Sequence, residues 1–280
     1  MFMSYLSAII LGIVQGVAEF LPISSSGHLS VLQSFFGLKN PEEGNLLFDV
    51  LLHLATLVAV CIVYWRDIAD MIKEVIGFFR DASHPKPDEG APKPARRLVL
   101  MIIVGTLPLF LILPFNGYIE KLTYNTYFIG AAFIFTGIML FIADRMQNGK
   151  KNAGTMTLGN ALTIGVCQAI ATLPGVSRSG ATITAGMTVG LERSFAVKYS
   201  FLLSLPAILG ANILSLADAV SEGVDSSLIP MYLVGMVVAG VSGYFAIGLV
   251  KMLSQKGKFG KFCYYCFFAG ITTLVLSVVL

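Results

Sequence analysis

Six stretches of this chain, 46–65, 99–115, 126–144, 195–217, 230–250 and 262–280, are apolar runs long enough to cross a bilayer as helices. About 20 helical residues span the hydrocarbon core. In that core only a helix or a closed barrel satisfies every backbone N–H and C=O. Composition agrees: 56% of the 280 residues are hydrophobic and 12% charged, with a mean hydropathy of +0.80. A soluble domain carries about a quarter charged residues. The chain therefore reads as an all-α polytopic membrane protein, a single integral membrane domain over 1–280. No nucleic-acid partner is expected. The start of the chain lacks the basic n-region and A-x-A site of a cleaved signal peptide and is read as mature structure.

Two further segments are apolar at their ends and broken in the middle. Residues 4–36 are interrupted by "LPISSSGH" and residues 157–191 by "LPGVSRSGAT". Each half is too short to span comfortably. Polar, Pro/Gly-interrupted backbone at membrane depth is tolerated only inside protein or along a wet cavity. Both segments are read as re-entrant helix–loop–helix hairpins.

The net charge of +3 says little; the positions of the basic residues say more. Sixteen of the 19 lysines and arginines fall in 66–97, 145–151, the pair Arg193 and Lys198, and 251–261. One assignment of helix directions puts all four groups in the cytoplasm, as the positive-inside rule asks. The Pro-rich stretch 80–98 reads as a flexible cytoplasmic loop, with His84 solvated. Trp65 fits an interfacial anchor, Asp49 an interfacial charge, and Asp144 with Arg145 a helix-end pair. The four cysteines lie in apolar segments and read as plain thiols, the CxxC spacing of "CYYC" included.

The two broken segments resemble each other. At an offset of 153 residues, Gln15 meets Gln168, Gly12 meets Gly165, Ser24 meets Ser177, Ser26 meets Ser179 and Gly27 meets Gly180. Phe48 meets Phe201 at the same offset. Each unit is then a hairpin plus three spans, repeat 1 over about 1–145 and repeat 2 over about 155–280. An odd number of crossings inverts the second copy. The first hairpin enters from outside, the second from the cytoplasm, and their tips meet near the midplane, a layout that builds a central site.

The tips carry chemistry. Gln15 and Glu19 share a helix face, and a carboxylate at this depth marks a site more often than a structural buried Glu. Ser24, Ser25 and Ser26, with Gly27 and His28, add a nucleophile and a proton shuttle that Glu19 would orient. Arg178 is the one basic residue inside the membrane, and its fork of donors suits phosphate or carboxylate oxygens. The bland alternative is an Arg178–Glu19 ion pair that only holds the hairpins together. Ser177, Ser179 and Thr182 supply hydroxyls beside Arg178, and Gly180 allows close backbone approach. The helices resuming after each break aim free N–H groups into the same point. An anion trap of this kind suits a phosphate. His53 is read as a cavity-lining or helix-packing residue.

These same residues carry a resemblance to a known family. "QGVAEFLPISSSGH" resembles the (E/Q)xxxE plus P-x-S-S-x-G-H signature of the undecaprenyl-diphosphate phosphatases, the bacitracin-resistance family, and "LPGVSRSGAT" resembles its P-G-x-S-R-S-x-x-T motif. The resemblance runs the length of the chain, through "FDVLLHLATLVAV" and "LERSFAVKYSFLLSLP". It implies a phosphatase that removes the terminal phosphate of undecaprenyl diphosphate, in the bacterial plasma membrane, to recycle the lipid carrier of cell-wall synthesis. The first motif falls on Gln15, Glu19, Ser24, Ser25 and His28, and the second on Ser177, Arg178 and Thr182. It also implies a divalent cation, Mg²⁺ or Ca²⁺. Gln15 stands where many members carry Glu, so the chain offers one carboxylate, Glu19, for a metal held through substrate phosphates.

The expected mechanism has Ser25 as nucleophile, with Ser24 the fallback, and His28 as general base or acid; a His28 phosphoenzyme and direct attack by water stay open as alternatives. The site would face the extracytoplasmic side. A transporter or flippase of a prenyl-phosphate lipid is the rival reading, since broken helices are also a transporter device. A lipid-phosphate receptor is a third. The substrate and bilayer lipid are the expected partners, with homodimerisation left open.

Overall fold

The computed structural model describes residues 3–35, 45–83, 94–221 and 226–279. Among these residues the structure is helical and has no strand, only an isolated bridge between Lys151 and Leu191. In chain order the helices are α1 (Tyr5–Phe20), α2 (Ser25–Phe35), α3 (Asn45–Val63), α4 (Trp65–Ser83), α5 (Pro94–Thr106) and α6 (Asn116–Thr123). They continue with α7 (Thr126–Asp144), α8 (Leu158–Ile170), α9 (Arg178–Thr188), α10 (Arg193–Ser221), α11 (Ile229–Gln255) and α12 (Phe262–Val279). Six helical stretches among the described residues are long and apolar enough to cross a membrane. They correspond to the six apolar runs, so the chain is a multi-pass membrane protein.

The two interrupted segments form helix–break–helix pairs, α1 with α2 and α8 with α9. Each first helix starts on a reciprocal cap. Ser4 Oγ accepts from Ser7 N–H at 3.2 Å while Ser7 Oγ accepts from Ser4 N–H at 2.9 Å. Thr157 and Asn160 do the same for α8 at 3.2 Å each. Such caps satisfy N–H groups that the helix itself leaves free.

Two expectations need correcting. Part of the stretch 80–98 is helix: α4 runs to Ser83 and α5 begins at Pro94, with 84–93, and so His84, outside the described residues. The signal for α4 was present as apolar residues Ile68, Met71, Ile72, Val75 and Phe79 at helical spacing. Its many charges hid it from a search for apolar runs. The run 99–115 is also not one helix. Pro108 and Pro114 replace the α-helix after Thr106 with short 3₁₀ turns over Leu107–Leu111 and Leu113–Phe115, because proline lacks the N–H that continues the ladder.

Packing between spans uses small residues. A Cβ on Gly270 of α12 would lie 2.8 Å from the Gly130 carbonyl of α7, so these backbones meet directly. Phe20 and Phe201 pack edge to face at 5.4 Å in the largest core cluster. Phe48 and Phe201, matched at the 153-residue offset, are both fully buried. Large apolar side chains such as Leu111, Phe245, Phe268 and Val278 face outward, where lipid would cover them.

The basic segments converge on one end of the bundle. Lys198 pairs with Asp67. Arg97 donates to the Met156 carbonyl at 2.8 Å and Arg193 to the Met146 carbonyl at 2.7 Å. Lys251 lies 5.3 Å above the Tyr64 ring. The opposite end is tied by Ser30 to the Thr123 carbonyl at 2.5 Å and by Tyr127 to the Ser277 carbonyl at 2.7 Å.

Candidate active site

The two breaks are built alike. After α1 the chain turns through Leu21–Ser24, with Ser24 at φ 71°, a left-handed conformation unusual for a residue with a Cβ. After α8 it turns through 171–177, with Gly175 at φ 86°. Ser24 Oγ then accepts from Gly27 N–H at 3.4 Å, and Ser177 Oγ from Gly180 N–H at 3.1 Å. Each is the N-cap bond of the helix that follows. Ser24 and Ser26 hydroxyls lie 3.4 Å apart, and Ser177 and Ser179 hydroxyls 3.3 Å. Each pair also reaches across. Ser26 Oγ accepts from Gly175 N–H at 3.4 Å, and Ser179 donates to the Leu21 carbonyl at 3.2 Å.

These bonds answer what most of the predicted hydroxyls do. Ser24, Ser177, Ser179 and Thr182 are buried. Thr182 donates to the Arg178 carbonyl at 2.8 Å and shares a 2.6 Å bond with Ser200. The three serines cap and cross-link the tips, and Thr182 ties α9 to α10. Gly27 and Gly180 permit the close approach: a Cβ on Gly27 would lie 2.7 Å from Phe133 Cζ and 2.9 Å from Gly175 Cα.

Glu19 is the hub. It ends α1 with its side chain 4% exposed. Arg178 Nη2 donates to Oε1. Ser25 Oγ donates to Oε2 at 2.6 Å, Gln15 Nε2 donates to Oε2 at 3.1 Å, and His53 Nε2 lies 3.8 Å away. Gln15, Glu19, Ser25 and Arg178 are thus brought together. Burying a carboxylate is costly unless charge and hydrogen bonds compensate, and here they do. Ser25 sits at the first position of α2 and Arg178 at the first position of α9. Two positive helix ends therefore flank one ion pair. Ser25 and Arg178 are half-buried, so both remain reachable.

His28 is elsewhere than expected. Its Nδ1 lies 2.7 Å from the Ser24 carbonyl and its Nε2 2.8 Å from the Tyr265 hydroxyl. The carbonyl only accepts, so Nδ1 carries a hydrogen. The ring stacks on Tyr265 and meets Phe133 edge-on. Its nitrogens are engaged by Ser24 and Tyr265, whereas the histidine beside Glu19 is His53. His53 Nδ1 donates to the Asp49 carbonyl at 2.8 Å, which turns Nε2 toward the carboxylate. Asp49, expected at the interface, accepts instead from Gln33 at 2.7 Å. Thr136 and Tyr265 were not singled out from sequence. Thr136 Oγ1, fully buried on α7, accepts from Ser177 N–H at 3.1 Å and so holds the second break. Neither lies in the two broken segments, and only the fold brings α7 and α12 to the tips.

For a metal, no group of three His, Cys, Asp or Glu is clustered among the described residues. Beside Glu19, however, Gln15 Oε1 is buried with no partner. Glu19 and Gln15 together offer a hard-oxygen pair that fits a cation carried in by phosphates, not a protein cage. All four cysteines are free thiols, with Cys263 and Cys266 buried.

A family model described as "Bacitracin resistance protein BacA" matches residues 8–272. A curated protein named undecaprenyl-diphosphatase from Carboxydothermus hydrogenoformans is 43% identical over 278 residues, covering 98% of each chain. One of the same name from Methanosphaera stadtmanae is 37% identical over 286 residues, covering 98% of this chain and 99% of the relative. One from Halothermothrix orenii is 37% identical over 276 residues, with the same coverage.

Proposed function

The chain belongs to the bacitracin resistance protein BacA family, and from that premise we propose that it hydrolyses undecaprenyl diphosphate to undecaprenyl phosphate and inorganic phosphate where the two breaks meet. Removing the terminal phosphate regenerates the lipid carrier of envelope synthesis and supports bacitracin resistance. The observation that carries the site assignment is the sharing of Glu19: one oxygen holds Arg178, the other the Ser25 hydroxyl at 2.6 Å.

A terminal phosphate entering the site competes with Glu19 for Arg178, whose planar fork matches phosphate oxygens. Once Arg178 turns to the phosphate, Glu19 is free to take the Ser25 proton. Ser25 Oγ then attacks the terminal phosphorus. The Oγ–P bond forms, the bridging P–O bond breaks, and undecaprenyl phosphate leaves. Water next attacks the phosphoserine, the Oγ–P bond breaks, and Ser25 recovers the proton held by Glu19. Arg178 and the first-turn N–H groups of α2 and α9 stabilise the charge that develops on the transferring group. His28 is a positioning residue: through the Ser24 carbonyl it holds the left-handed turn that aims Ser25. His53 fixes the second oxygen of Glu19. A divalent cation held by Glu19 and Gln15 would neutralise charge on the diphosphate.

The tips belong to an inverted repeat of re-entrant hairpins, supported by the matched serine bonds at the 153-residue offset. The basic end lies in the cytoplasm of a bacterial cell. The first hairpin opens to the other side, so the headgroup enters from there while the prenyl chain stays in lipid.

The test is phosphate release from undecaprenyl diphosphate in detergent. Ser25→Ala protein, folded by its melting temperature, should release no phosphate. His28→Asn, which keeps a donor for the Ser24 carbonyl, should retain more activity than His28→Ala. Full activity in Ser25→Ala overturns the mechanism.

A further inference from the structure

A cavity lies beside the basic end, away from the residues just described. Its volume is about 640 Å³, and α4, α5 and the start of α8 enclose it. The walls are apolar: Val75, Phe78 and Phe79 from α4 face Leu100 and Ile103 from α5. Arg96 and Arg97 line it against the single acidic wall residue Glu74. The Arg96 guanidinium sits 4.6 Å above the Phe78 ring. Arg97 uses Nη2 on the Met156 carbonyl, but its Nε is buried with no partner. A buried guanidinium N–H without an acceptor is costly, and a phosphate oxygen is the acceptor Arg takes best.

The surroundings set the depth. Helix α4 is amphipathic, with Ile72, Ile76 and Phe79 exposed on its apolar side. Arg66, Asp70 and Lys73 mark its polar side. Such a helix lies in the headgroup plane. Basic pockets between membrane helices at that depth take anionic lipid headgroups.

We propose that this cavity binds one anionic phospholipid of the surrounding bilayer. The headgroup phosphate would sit on Arg96 and Arg97, with an acyl chain along Phe78, Phe79, Leu100 and Ile103. The sequence between α4 and α5, "HPKPDEGAPK", offers acids for the arginines but no large apolar side chain for these walls. The proposal rests on the basic end lying at headgroup depth and not on the phosphatase reading.

The experiment uses the full chain in detergent micelles, titrated with phosphatidylglycerol or phosphatidylcholine and read by native mass spectrometry. A photoactivatable phosphatidylglycerol maps the contact. One phosphatidylglycerol should bind in preference to phosphatidylcholine, with label on 74–79 and 96–103. The double variant Arg96→Gln/Arg97→Gln should weaken it about thirtyfold, from roughly fivefold per basic residue. Leu100→Trp, which fills the apolar wall and keeps both charges, should also lose the lipid, and stands in if the double variant misfolds. Phosphate release in the same micelles should be unchanged in both variants, and it reads the phosphatase assignment separately. Equal binding of phosphatidylcholine, or undiminished phosphatidylglycerol binding in both variants, overturns the proposal. So does label that appears only after 84–93 is replaced by Gly/Ser residues, which would make that segment the occupant. Displacement of phosphatidylglycerol by equimolar undecaprenyl phosphate would instead assign the site to the prenyl lipid and overturn it too.

Discussion

In the proposed reaction Glu19 must give something up before chemistry can start. Its carboxylate holds Arg178, Ser25 and Gln15 at once, so the resting site is already neutralised. In the proposed mechanism this couples substrate entry to activation, since a phosphate that draws Arg178 away also frees the base. Glu19→Gln should separate the two roles. Turnover is lost because the amide takes no proton from Ser25. The diphosphate headgroup should nevertheless bind more tightly, because Arg178 no longer has a carboxylate competitor. Isothermal titration with a short-chain prenyl diphosphate checks the affinity, and phosphate release checks the turnover. Arg178→Lys keeps the charge and loses the fork; it should cost about 10²–10³ in kcat, the usual size of one lost transition-state donor. At this scale the sequence was partly legible. The motif spacing singled out Glu19, Ser25 and Arg178 as neighbours. It also paired His28 with Glu19, which the structure does not, because His28 stacks on Tyr265 of α12, 237 residues away. Position along a helix fixes which face a side chain is on, but not which distant helix covers that face. His53 shows the converse: a lone histidine in an apolar run carries no local sign that its Nε2 meets a carboxylate.

The helix–break–helix pair is the element that builds the proposed site, and its tolerance is narrow. Gly27 lies where Phe133 of α7 and the Gly175 turn crowd in. Gly27→Ala forces those groups apart, so the tips separate and Ser25 shifts from Glu19. The cost should be about 1–3 kcal/mol, the usual range for overpacking, seen as a lower melting temperature with lost phosphate release. Gly248→Ala is the control, since a Cβ there meets nothing within 4 Å. Alanine is also the better helix former, so its melting temperature should hold or rise. Both breaks were legible because proline, glycine and serine runs inside apolar segments have no other use at that depth. Helix α4 was not, because a search for apolar runs passes over a segment with an apolar stripe on one side and charges on the other. The 3₁₀ turns after Thr106 were written in Pro108 and Pro114 but were outweighed by the hydropathy around them.

Across the whole molecule, charge asymmetry is what the proposed direction of the chemistry rests on. Residues far apart in sequence, Asp67 with Lys198, Arg97 with Met156 and Arg193 with Met146, gather at one end. Lys and Arg resist translocation, which is the ground for the proposal that this end is cytoplasmic. The turn joining α6 to α7 and the last turns of α12 lie at the other end, where Tyr127 bonds Ser277. An impermeant maleimide should therefore label Thr126→Cys but not Lys258→Cys in intact cells, in a background where the four native cysteines are replaced. Catalysis should follow the same polarity. Proteoliposomes sorted by this labelling into the two orientations are given a water-soluble short-chain prenyl diphosphate from outside only. Vesicles with the basic end inward should release phosphate. Those with the basic end outward should release it only after detergent opens them. Equal release from both would mean that the substrate reaches Ser25 from either leaflet, and the outward-opening site would have to be given up. Release only from vesicles with the basic end outward would reverse the direction of the first hairpin while leaving the chemistry at Glu19 intact.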